Sequence, residues 1–388
     1  MFDLIHDEAR DVFAPIANFA TIITSEAIAS RAKWPFVSVP HFEVRGLELN
    51  SLSNMLMVGF SPLVQESDRE RWEIYANYMQ KWIAEGIEYN TELHQNFTVN
   101  SEPIYPTIWR TNELQDAAEG DRYQLEALRG YVMNPNSSRV PDEGRGPYLP
   151  IWQQCPAPHD PHAILFNLFN HPVFRRVFVG MNETLSPVLS EVTDLEFFYG
   201  GAIREEVNRP YSFLLQPVFQ DFNNTNRDSS HIMGVVIALL PWDHYYEKIL
   251  PPEARGIVVV MRDTCGDELS YQVNGAEAVF LGFGDFHDPA YDHLVQVSPF
   301  DPFERLNFSI AHNHCEYDLH IYPSSELEDV YTTNQPVLYA FLVMAVFFIT
   351  ALVFTAYDIM VQRRQAKVSL AAKKSKSKQI LMLVHGRE

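Results

Sequence analysis

The sequence predicts an α+β protein with a long N-terminal stalk helix, antiparallel sheets with covering helices, and one C-terminal transmembrane helix. Three observations predict it. Apolar residues recur every three or four positions over residues 5–31. From about residue 185 the pattern changes to short apolar runs bounded by turn residues. Residues 337–357 then form a stretch of 21 without one charge. The divisions that follow are a stalk helix over 1–33, a large domain over 34–335, a span over 336–357 and a basic tail over 358–388.

The first helix rests on Ile5, Ala9, Val12, Ile16, Phe19, Ile23 and Ala27, which share one face at helical spacing. Such a stripe serves either as a dimer seam or as a face packed on the domain. Residues 1–20 have no basic leader and no continuous apolar core, so they do not read as a signal peptide. Export of a large domain therefore leads us to expect a membrane segment upstream, in a longer gene product. Phe36, Val37, Val39 and Phe42 alternate between prolines and predict an edge strand within 34–45. Residues 62–87, with Trp72, Ile74, Tyr75, Tyr78, Met79 and Trp82, predict a second amphipathic helix. Residues 100–160 are rich in Pro, Asn and Gly and read as loops and short strands, with an aromatic strand at 147–154. Residues 163–181 predict a helix with Phe166, Phe169, Phe174 and Phe178 on one side.

Residues 212–219 (SFLLQPVF) and 232–240 (IMGVVIALL) are apolar enough for central strands, joined by a polar hairpin loop over 223–230. Pro241 opens a short helix that ends near Leu250, before a double proline. Residues 256–261, 269–273 and 278–281 are further strands. Strand, strand, helix, strand, strand is the layout of a PAS-like sensor sheet.

The apolar run 337–357 is long enough to cross a bilayer as a helix, about 30 Å at 1.5 Å per residue. Tyr339 and Tyr357 lie near its ends, and Pro336 stands just before it. The chain has 29 basic and 50 acidic side chains. Eight of the basic and two of the acidic ones lie in 358–388, which leaves 21 and 48 before the span, a net of −27. Basic residues stay on the cytoplasmic side, so the acidic domain is expected outside and the tail inside, at the plasma membrane. The same negative charge argues against nucleic acid as a partner.

Five N-x-S/T sequons, at Asn96, Asn136, Asn182, Asn223 and Asn307, precede the span and are candidate glycosylation sites. Of the three cysteines, Cys265 and Cys315 lie beside strand-like runs in the last third of the domain, and we expect them to pair, with Cys155 left over; three buried thiols are the alternative. His312, His314, Cys315 and His320 resemble a metal cluster, but the expected disulfide uses Cys315, and no metal is assigned. The pairs His159/His162 and His287/His293 sit in Pro- and Asp-rich loops without a rigid element to fix them. No nucleophile elbow or phosphate loop is present, and neither a cofactor nor catalysis is expected of this chain.

The order of the polar loop, IMGVVIALLPWDHYYEKIL and GIVVVMRDTCGDEL resembles the core of CHASE domains, the extracellular sensors of membrane histidine kinases and nucleotide cyclases. WPFVSVPHFEVRG, YLPIWQQ, VLSEV and CEYDLHIYPS are similar to receptor-type guanylate cyclases of marine protists such as diatoms. The resemblance covers residues 5–330. It implies a small-molecule ligand in a membrane-distal PAS-like lobe, a homodimer paired through stalk and span, and a cyclase domain after the span. The family's pocket acid is matched by Asn167, beside Leu168, so the charge that serves an adenine-type ligand is replaced by an amide. The polar strand position matches Ser190, with Glu191 beside it. Tyr148 and Trp152 are expected as aromatic walls and Gln216 as a polar position on the floor. Alternatively, Asn167 caps a turn and Gln216 faces solvent. The reading is a receptor's sensor module; a non-signalling surface adhesion or binding protein is the other.

Overall fold

The computed structural model describes residues 2–93, 104–111, 139–157, 163–194, 209–222, 228–247, 255–264, 266–300, 316–331 and 335–385. Residues 1–327 form one compact unit and 328–388 a second.

The first unit opens with helix α1 (Phe2–Ser30). From Phe13 on, its stripe of Ile16, Phe19, Ile23 and Ala27 is buried. That face packs on the domain, and the Thr24 hydroxyl donates to the carbonyl of Phe219 at 3.0 Å. Of the two uses left open for the stripe, the described part serves domain packing.

The expected edge strand over 34–45 is not formed. Val37 and Val39 are buried with Ser38 half-buried between them, which gives the alternation its strand-like look. The partners are side chains: Val39 N–H donates to Gln153 Oε1 at 2.7 Å, Gln153 Nε2 donates to Val39 O at 3.0 Å, and Trp152 Nε1 donates to Val37 O at 3.1 Å. The backbone is thus satisfied without a ladder. Phe42 then begins a helix, α2 (Phe42–Ser53).

The helix expected over 62–87 is also redrawn. Strand β1 (Met57–Pro62) precedes it, helix α3 (Arg69–Met79) starts later, and α4 (Lys81–Leu93) follows a break at Gln80. β1 escapes a reading of the sequence because Gly59, Ser61 and Pro62 look like turn residues, yet it is an interior strand of a sheet. Trp72 and Ala76 face inward from α3, whereas Ile74 and Tyr78 are exposed. Strands β2 (Trp109–Thr111) and β3 (Arg139–Pro141) form a small pair. The expected strand 147–154 shrinks to β4 (Gln153–Cys155) and two single bridges, Tyr148 to Val64 and Pro150 to Asn167. Pro147 and Pro150 offer no N–H to a ladder.

In the expected helix 163–181, Leu165 has a φ of 67° and Leu168–Asn170 is a single 3₁₀ turn. The α-helix α5 (Pro172–Thr184) begins only at Pro172, a position where the missing N–H costs nothing. Short strands β5 (Val188–Leu189) and β6 (Thr193–Asp194) follow. The expected strands β7 (Pro210–Phe219) and β8 (Ile232–Pro241) form and pair antiparallel, and α6 (Trp242–Tyr246) comes next. β9 (Ile257–Asp263), β10 (Glu268–Asn274) and β11 (Glu277–Phe283) form as expected. β12 (Gln296–Phe300) and β13 (Tyr317–Pro323) complete the set, and α7 (Ser325–Tyr331) follows.

These strands do not form one sheet. The first has the order β4-β1-β8-β7-β5, with β6 also on β7; the second has the order β11-β10-β9-β13-β12. The strand–strand–helix–strand–strand run is divided between them, because both edges of the β7–β8 pair are already taken by β5 and β1. All pairings are antiparallel, and in each sheet the first strand lies between the second and the last. Trp242 packs against Tyr317 across the two sheets, and Tyr317 Oη donates to the carbonyl of Ser190.

The second unit contains α8 (Gln335–His385), 51 residues in one uninterrupted helix. Its apolar segment is long enough to cross a membrane and its side chains are exposed, Phe347 by 76% and Phe348 by 70%. The basic segment continues the same helix rather than leaving it as a loose tail.

Candidate functional site

A cavity lies between the first sheet and the segment that carries Leu168 and α5. Alternation along β1 turns Met57, Gly59 and Ser61 to the same face of the sheet. The register sets Gly59 beside Gln154 on β4 and beside Ile237 on β8, and Ile237 beside Leu215 on β7. Ile151, Gln154, Phe213 and Ile237 complete that wall, and Leu168 and Phe174 close the other side. The cavity holds about 340 Å³ of empty space, its solvent mouth included. Its walls leave about 20 Å³ to the centre of a water molecule, room for a water or two.

Of the residues the sequence marks as ligand contacts, Leu168 alone lines this cavity. Tyr148 is buried in a polar cluster: its hydroxyl donates to Glu66 Oε2 at 2.6 Å and accepts from Arg69 Nη1 at 3.0 Å. The Arg69 guanidinium lies over its ring, 4.7 Å from the centroid, and also bonds the carbonyl of Asp142 and Glu73. Trp152 is fully buried on the opposite face of the sheet, among Trp72, Tyr75 and Trp82. Its neighbour Ile151 takes the wall position in its place.

Asn167 is a structural cap. Its Oδ1 accepts from Leu149 N–H at 2.9 Å and from Phe169 N–H at 3.3 Å, and its Nδ2 donates to Asp142 Oδ2 at 2.6 Å. The amide is thus committed to the chain's own groups. Ser190 Oγ accepts from Phe213 N–H and donates to Glu191 O, both at 2.8 Å, and so ties β5 to β7. Glu191 pairs with Arg176 of α5. Gln216 pairs with Val236, in the row of Phe60 and Gln153, so it faces away from the cavity and is buried rather than turned to solvent.

Sequence reasoning missed Gly59, Ser61 and Gln154. Gln154 stands in the expected strand 147–154, one position after Gln153, whose side chain bonds Val39 instead; the other two belong to the unrecognised β1. The Ser61 hydroxyl is buried and has no hydrogen-bond partner among the described residues. His171, just before α5, is fully buried against Phe174, and burial with the nearby Arg176 charge pushes its imidazole down to about 3, so it is neutral at physiological pH.

Asn182 lies within α5 and is half-buried. Asn96, Asn136, Asn223 and Asn307 lie outside the described residues, as do Cys265, Cys315, His159, His162, His312 and His314. Cys155 is a free, buried thiol. Among the described residues no group of three His, Cys, Asp or Glu side chains is placed to hold a metal ion. Neither a comparison with models of known protein families nor one with curated proteins finds a match for this chain.

Proposed function

We propose that the chain is the extracellular sensing region and membrane span of a receptor, as its resemblance to CHASE-type sensors implies. The observation that carries this reading is the cavity between the first sheet and α5, on a domain followed by a helix able to cross a bilayer. Ligand pockets favour such places, with mostly apolar walls and a few polar anchors. The core order that the two sheets share, second, first, last and penultimate strand, supports two PAS-like lobes, with capture in the first. The basic residues after Tyr357 support an exterior domain and a cytosolic tail. A second copy pairs through the span, and a cytosolic nucleotide cyclase takes the signal. A ligand biases such a receptor only by its differential affinity for two states.

The test is thermal unfolding of the whole chain in lipid nanodiscs against a panel of small metabolites. A ligand at a hundred times its Kd should stabilise the domain by about 2.7 kcal/mol. Gly59→Val, which narrows the cavity, should remove that gain. Stabilisation by no member of the panel, or stabilisation that survives Gly59→Val, counts against the reading.

A further inference from the structure

None of the residues that line the first-sheet cavity carries a charge. A carboxylate or ammonium placed there would lose its hydration against Ile151, Phe174, Phe213 and Ile237 without a counter-ion, a cost that packing cannot return. Two polar groups do line it. Ser61 is 1% exposed and its hydroxyl has no hydrogen-bond partner among the described residues. Gln154, 6% exposed, brings an amide that both donates and accepts. Between them lies Gly59, where the strand presents no side chain to whatever sits above it.

We propose that the cavity takes a small uncharged molecule, with an apolar body and one neutral hydrogen-bonding group held by Ser61 and Gln154. This rests on the sensor reading above and assigns the chemistry of its ligand. A hydroxyl or a carboxamide suits both anchors: either can accept from Ser61 and donate to the Gln154 carbonyl, or the reverse. The small branched remainder lies against Leu168 and Phe174, on the segment that covers the sheet. The narrow free space limits the ligand to few atoms. Binding therefore bears directly on how closely α5 sits on β1 and β8.

The experiment uses four isosteric probes on the whole chain in nanodiscs: isobutanol and isobutyramide, and their charged counterparts isobutylammonium and isobutyrate. The methyl resonances of Met57 and Ile237, both in the cavity wall, read binding locally and are blind to probe dissolved in lipid. The neutral pair should shift these signals saturably, and the charged pair should leave them in place. Ser61→Ala and Gln154→Met should each weaken the neutral probes about tenfold, the loss of one hydrogen bond in a dry site. Gly59→Val should abolish the response; a Cβ at Gly59 meets only Gln153 O at 3.4 Å and Ile237 O at 4.0 Å, so the variant is expected to fold. If isobutyrate or isobutylammonium titrates the same methyls as well as the neutral pair does, the uncharged class is wrong while the sensing cavity stands. If none of the four probes moves them, the proposal falls; if the metabolite panel also fails to stabilise the chain, the sensor reading falls with it.

Discussion

Gly46 sits where α2 crosses the first sheet, and a Cβ there would stand 2.4 Å from Cys155 Cβ and 2.6 Å from its Sγ. Cys155 Cβ is fixed to its backbone, so the backbone itself must yield. Gly46→Ala should cost about 1–3 kcal/mol, the usual price of overpacking, measured as a fall in the thermal midpoint; an unchanged midpoint would mean that the helix is free to lift. Beside it, Glu43 is a buried carboxyl. Burial raises its pKa above the ordinary 4.5, and the Asn90 hydrogen bond only partly offsets this. The folded state then holds its proton more tightly than the unfolded chain does. Stability from this residue is greatest at low pH and falls as pH rises from about 4.5 through the raised value. Glu43→Gln cannot lose a proton. The difference in midpoint between variant and wild type should therefore widen in the variant's favour from pH 4.5 to pH 7; a constant difference would contradict the assignment. Neither residue was legible in the sequence. A glycine at a helix crossing and a glutamate at the end of an expected edge strand look like any others until the facing element is known.

Among the elements, the long runs were legible and the short ones were not. β7, β8, β9 and the span declare themselves by apolar composition alone. β1 did not, because three of its six residues are Gly, Ser and Pro, and a third of the cavity's lining was lost with it. The segment from Phe36 to Val39 carries the opposite error: a strand pattern whose partners are the side chains of Trp152 and Gln153. A similar substitution of side chain for ladder organises the loop after β11. His287 stacks on Tyr322, with ring centroids 3.8 Å apart, and its two nitrogens bond Asp285 and Asp292. Asp285 also receives Arg262, and His320 lies on the neighbouring position of β13. Burial alone would lower the His287 pKa, but the hydrogen bonds to Asp285 and Asp292 outweigh it and hold it above 6.5. Its stabilising charge is fully present below pH 6.5 and is lost as pH rises through the raised value. Wild-type stability should thus decline across that window more steeply than that of His287→Leu. Parallel pH profiles of the two proteins would show that the ring's charge contributes nothing.

At the scale of the molecule, the α+β class and the apolar span were legible, and the four-strand core order common to the two sheets was not. In both sheets the second, first, last and penultimate strands stand in that order, while the third strand joins opposite ends (β5 beside β7, β11 beside β10), and a partial likeness of order leaves no residue-level repeat to find. The candidate site suffered for the same reason: one of its lining residues, Leu168, was recognised, but which face each strand turns to the cavity is a matter of register. The expected pairing of Cys265 with Cys315 gains a structural argument. Thr264 N–H donates to Glu316 O at 2.9 Å, and Glu316 N–H returns to Thr264 Oγ1 at 2.9 Å, so the residues flanking both cysteines are held together. Peptide mapping without reductant should recover a Cys265–Cys315 peptide. The bond would be worth on the order of 4 kcal/mol in the chain-entropy account. A cross-link to Cys155, which is buried beneath α2, would refute the pairing.

The uninterrupted course of α8 has a rotational consequence. A helix of 51 residues is about 76 Å long, and roughly 30 Å of it suffices to cross the hydrocarbon core. The remainder is a shaft that shares one azimuth with the apolar segment: whatever turns the apolar face turns the lysines as well. One residue inserted after Tyr357 would swing the basic segment through about 100°, whereas seven would return it to within about 20° of its original bearing. Angular phase, more than distance, is what such a shaft can carry.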